Sequence, residues 1–130
     1  MGIDLSILPQ YSENADFSHD VIQLHRDYEL FEVFETLQNA RGRTIGKDSY
    51  IWSFLGRDEE GEFEEYCYGK LRDNPYGNPL VNVLASDLKK ALKESDYLKK
   101  NPLGLSWKNR AAIAYINELP DDLPIWLFWH

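Results

Sequence analysis

The chain of 130 residues has one cysteine, one methionine and no long apolar run, and each shortage excludes something. A lone Cys67 cannot close an internal disulfide, so the compartment to expect is the reducing cytoplasm. No stretch approaches the roughly 18 apolar residues of a membrane span, the longest candidate being the short run at 125–129. The opening residues, Met1-Gly2-Ile3-Asp4-Leu5-Ser6, have neither a basic region nor a long apolar stretch, which argues against a secretory leader. They fit the pattern for myristoylation, but one acyl chain anchors weakly and no basic patch follows. Positive charge is also scarce. Fourteen bases against 22 acids give a net charge of -8, which disfavours a phosphate backbone or an anionic membrane as partner.

Repeats, low-complexity tracts and Gly/Ser linkers are missing too, so 1–130 reads as a single domain. A hydrophobic content of 43% with 14% aromatics is too high for a disordered chain. The mean hydropathy of -0.51 keeps it soluble. Its length suffices to bury about two-thirds of the unfolded surface in one core. Charge is uneven along it: residues 1–66 carry fifteen acids and five bases, and 67–130 carry seven acids and nine bases.

Ile3, Leu5 and Ile7 alternate with polar residues up to Pro9, the period of a half-buried strand. Residues 10–18 read as a loop, and 21–25 as a further short strand. Asp27 is placed to cap a helix whose Leu30, Phe31, Phe34 and Leu37 share one face while Glu29, Glu32 and Glu35 share the other. Residues 50–55 and 63–68 form a plausible hairpin, with the polar segment 57–62 as its turn. Two Asn-Pro steps and Gly77 make 73–79 a structured loop. A helix should start at Ser86 and Asp87, expose Lys89, Lys90 and Lys93, and stop by Asn101-Pro102. Ser106 should cap another, whose Trp107, Ala111, Ala112, Ile113, Tyr115 and Ile116 suggest an all-round apolar, buried helix. The uninterrupted run Ile125-Trp126-Leu127-Phe128-Trp129 has the pattern of a strand covered on both faces. The pattern is α+β: a mixed or antiparallel sheet, a central hairpin, about three helices and a C-terminal core strand.

Leu8-Pro9, Phe17-Ser18-His19, Arg26-Asp27 followed by Leu30-Phe31, the Tyr68-Gly69 and Tyr76-Gly77 steps, and residues 125–129 span most of the chain. In these short motifs it resembles a group of small uncharacterised proteins of bacterial and phage genomes. The resemblance implies a phage or mobile-element setting and transfers no catalytic residue.

The chemistry-bearing residues are few. His19, Asp20, His25 and His130 could in principle ligate a metal, but an extended backbone of about 3.3 Å per residue separates His19 and His25 by roughly 20 Å. No metal or other cofactor is therefore expected. Ser18 lacks the Gly-x-Ser-x-Gly elbow, and Cys67 stands near Glu64 and Glu65, which oppose a reactive thiolate. The basic segment 41–49 has only three residues between its glycines and Asp48 after its lysine, so it is no P-loop. The acidic segment 58–65 lacks the ligand spacing of a calcium loop. Tyr50, Trp52, Tyr66, Tyr68 and Tyr76 are read as core, or as a binding surface if no helix covers the hairpin.

Two functional expectations follow. The first is a non-enzymatic protein that binds a macromolecule with a basic surface through Glu29, Glu32 and Glu35 with Glu59, Glu60 and Glu62. The alternative is a small enzyme or ligand binder with a polar site at Ser18, His19, Asp27, Arg57 and Tyr76. Homo-oligomerisation through an edge strand is a third option, weighed against burial of that strand.

Overall fold

The computed structural model describes residues 2–10, 21–44, 51–57, 66–71, 73–101 and 104–130, with 51–57 and 66–71 described as backbone alone. Five strands, β1 (Leu5–Pro9), β2 (Ile22–Gln23), β3 (Arg43–Thr44), β6 (Val81–Leu84) and β7 (Pro124–Trp129), form an antiparallel sheet in the order β2-β1-β7-β6-β3. Strands β4 (Ile51–Arg57) and β5 (Tyr66–Leu71) pair as a separate antiparallel hairpin. The helices are α1 (Tyr28–Arg41), α2 (Ala85–Glu94), α3 (Asp96–Lys100) and α4 (Trp107–Glu118). This is an α+β domain.

The apolar run at 125–129 owes its pattern to its position. β7 lies at the centre of the sheet, with Leu5 opposite Trp129 on one side and Val83 opposite Ile125 on the other. Strand alternation sends Ile125 and Leu127, with Leu5, Ile7 and Val83, into the core that α1, α2 and α4 cover through Phe34, Leu88 and Ile116. The opposite face holds a second cluster of Leu8, Leu80 and Trp126, with Phe128 packed against it. β1 is therefore buried along its whole length rather than half-buried, because it is an inner strand with apolar groups on both sides. Its one polar side chain, Ser6, is satisfied by His130 Nε2 at 2.9 Å.

Helix α1 follows its sequence signals. Asp27 is its N-cap, accepting from the Leu30 amide at 3.1 Å, and Leu30, Phe31, Phe34 and Leu37 are its buried face. At its end Gly42 runs so close to the Gln38 carbonyl and Val81 that a Cβ would clash with both.

The later helices differ from expectation. α2 begins at Ala85 with no side-chain cap, since the amides of Ala85 and Ser86 donate to the carbonyls of Leu123 and Asp121 instead. Tertiary backbone partners have replaced the Ser-Asp cap. Lys89 does not simply face water: its ammonium binds the Leu119 carbonyl and, at 2.9 Å, Asp121. The helix also breaks before Asn101, at Ser95, which accepts from Leu98 and starts α3. Finally, α4 is a surface helix. Asn109, Ala112 and Ile116 are its buried residues, whereas Trp107 is 70% exposed and Tyr115 is also exposed. Its apolar residues circle the helix, but the core needs only the stripe at 109, 112 and 116.

Candidate functional site

The largest grouping of predicted site residues lies beside α1. Its exposed side bears Glu29, Glu32 and Glu35, and no described residue makes an ion pair with any of them. Arg41, the one base on this helix, reaches instead to Asp87 at 3.8 Å. Glu32 and Glu35 line a cleft of about 820 Å³. Glu29 lies outside it.

One wall is aromatic. Tyr28 meets Phe31 edge to face at 6.2 Å between centroids, and Phe31 meets Trp129 in the same way at 5.9 Å. The indole N–H of Trp129 donates to Gln38 Oε1 at 2.7 Å, fixing the ring against α1. Tyr28 stands 57% exposed at the helix start. There the chain also passes so close that a Cβ on Gly2 would clash with Arg26 and the Tyr28 hydroxyl.

The opposite wall is the loop at 73–79. Asn74 Oδ1 accepts from the amides of Tyr76 at 2.9 Å and Asn78 at 3.1 Å, and the Gly77 amide donates to the Asn74 carbonyl. Gly77 adopts φ +82, which an L side chain would resist, and Asp73 bridges Pro79 across the base. This network presents Tyr76, 53% exposed, at the cleft with Asn74 and Asn78. Among the described lining residues there is no Lys, Arg, His, Ser or Cys, so the only formal charges are the two carboxylates.

The other predicted residues separate. Asp27 is structural: Oδ1 caps α1, and Oδ2 accepts from the Tyr97 hydroxyl at 2.8 Å. The carboxylate pushes the Tyr97 phenol up to about 12, chiefly through this hydrogen bond. Asp27 does not line the cleft with Tyr76, so these two members of the polar site do not converge. Ser18, His19, Glu59, Glu60, Glu62 and the Arg57 side chain lie outside the described residues, as do the side chains of Tyr50, Trp52, Tyr66, Cys67 and Tyr68.

Both described histidines have local duties. His25 Nδ1 pairs with Ser106 Oγ at 3.0 Å, and Asn109 bonds both the amide and the carbonyl of His25. His130 continues the ladder to Asp4 and stacks on Phe128. Arg26 holds the Asp4 carboxyl below its ordinary range, first by hydrogen bond, with further help from the charges of Arg26 and His130. Among the described residues no group of three or more His, Cys, Asp or Glu could hold a metal ion. No described helix is long and apolar enough to cross a membrane.

Tyr28, Phe31, Gln38 and Trp129 were not among the predicted site residues. Their sequence pattern assigns Phe31 and Trp129 to the core, and each does contact it while also showing an edge to the cleft. No family model, curated protein or solved structure matches the chain.

Proposed function

We propose that this protein is a non-catalytic binding module that receives a basic segment of a partner protein in the cleft beside α1. The observation that carries the reading is the pair Glu32 and Glu35 at the cleft, without an ion pair to any described residue, with Tyr28, Tyr76 and Trp129 beside them. A Lys or Arg side chain entering there gains a carboxylate for its charge and a ring face for its cation–π attraction. The side-chain amides of Asn39 and Asn78 add donors and acceptors for a peptide backbone, and those of Gln38 and Asn74, whose oxygens hold Trp129 and the loop amides, add N–H donors. The described lining residues include no His, Lys, Ser or Cys to act with Glu32 and Glu35, whereas the cleft's rings and amides suit recognition, which favours binding over catalysis.

The test is a titration of the protein with a fluorescent peptide rich in Arg and Lys, followed by anisotropy and by tryptophan emission. Saturable binding that weakens with salt and is lost in the E32Q/E35Q variant supports the reading. Equal binding by wild type and variant, or none at low salt, sinks it.

A further inference from the structure

A second groove, sharing no residue with the acidic cleft, opens between α2, α3 and α4 with a volume of about 720 Å³. Its floor is apolar: Leu92 is buried, and Leu98 and Ile113 are half-buried. Around them stand Lys90, Lys93 and Lys99, all exposed and without an ion pair to any described residue. Lys89 also lines the groove, but Leu119 and Asp121 already hold its ammonium. Glu94 is the only carboxylate among the described lining residues.

In a chain of net charge -8, three ammonium groups with no ion pair to a described residue, set around one apolar floor, make a local field opposite in sign to that of the whole molecule. We infer that this groove binds an acidic peptide segment of a partner protein, with an apolar side chain on Leu98 and Ile113 and carboxylates reaching Lys90, Lys93 and Lys99. The lining favours a peptide over a phosphate compound. Among its described residues there is no Arg to grip a phosphate in bidentate fashion and no aromatic ring on which a base could stack. Separate ammonium groups on long stems suit carboxylates spread along a chain. The apolar floor rewards a partner that is more than charge. With the acidic cleft, the molecule would then hold two partners of opposite charge, or two segments of one.

The experiment titrates the full chain with a labelled peptide in which a Leu or Phe is flanked by Asp and Glu. A control peptide has Ser in place of the apolar residue, and inorganic phosphate and a single-stranded oligonucleotide serve as competitors. We expect saturable, salt-sensitive binding, weakened roughly tenfold or more in K90Q/K93Q/K99Q, since three rim ion pairs contribute modestly each. The same binding should be unchanged in E32Q/E35Q, which separates this groove from the acidic cleft. Circular dichroism of the lysine variant confirms that it is folded. Equal binding of the Ser control, indifference to the lysine changes, or displacement by phosphate or the oligonucleotide would each overturn the inference. A milder variant, Ile113→Ser, gives an independent reading of the floor and should weaken the apolar peptide more than the control.

Discussion

Replacing Asp27 by Ala removes two interactions at once, and their sizes can be worked from the geometry. Loss of the bond from the Leu30 amide is the loss of an N-cap, typically about 1 kcal/mol. Loss of the Tyr97 hydroxyl bond removes a charge-assisted contact, generally about 1.5–3 kcal/mol. Both partners here are only half-buried, so water replaces part of it and about 1 kcal/mol remains. The expected total is about 2 kcal/mol, or roughly 8 °C in Tm for a domain of this size. Tyr97→Phe alone should cost about 1 kcal/mol. The double variant should cost about 2 rather than 3, giving a coupling near 1 kcal/mol in urea titrations followed by circular dichroism.

The pH dependence carries a sign as well. The Tyr97 phenol is raised from its ordinary value of 10.0 to about 12 in the folded chain. Its contribution is therefore complete below pH 10 and is lost as the pH rises through 12. Between those values wild type should lose stability faster than Tyr97→Phe. Strict additivity of Asp27→Ala and Tyr97→Phe, or a neutral Asp27→Ala, would refute the structural role given to Asp27.

Other substitutions probe the rest of the fold. Asn109 is 1% exposed and satisfies both backbone groups of His25, so Asn109→Ala should cost about 2–4 kcal/mol in urea unfolding. Trp107→Ala, at an exposed position, should change stability by less than about 1 kcal/mol, whereas Phe34→Ala in the core should cost about 3–5. Gly42→Ala should destabilise by about 1–3 kcal/mol, because its methyl meets the Gln38 carbonyl and Val81. Arg26→Ala should return the Asp4 carboxyl toward its ordinary range, visible in carboxyl NMR shifts across an acid titration.

What was legible in the sequence divides by the range of the forces involved. Helix α1 was readable because a cap and a 3.6-residue apolar stripe are local signals, and Asp27, Phe31 and Phe34 sit where both place them. β7 was readable because a strand whose two faces both meet apolar clusters needs apolar residues at every position. The start of α2 was not, since the groups that satisfy its first amides belong to residues 121 and 123, far along the chain. The exposure of Trp107 was hidden for a similar reason: composition shows how apolar a helix is, and only packing decides which stripe the core accepts. At the cleft, Glu32 and Glu35 stood out as charges without partners on their own helix. Tyr76 entered through its loop, but nothing local reveals that residues 28, 76 and 129 meet around one space.

The central place of β7 also orders events in time. During synthesis β1 emerges early, yet its longest pairing is with residues 125–129. At about 5–20 residues per second, those partners follow Pro9 by roughly 6–24 s. Throughout that wait a five-residue segment that is wholly buried in the finished fold has only the two residues of β2 to pair with. Slower elongation upstream of residue 124 should lengthen that interval. The arrangement ties Trp129's place in the acidic cleft to the docking of β7 between β1 and β6.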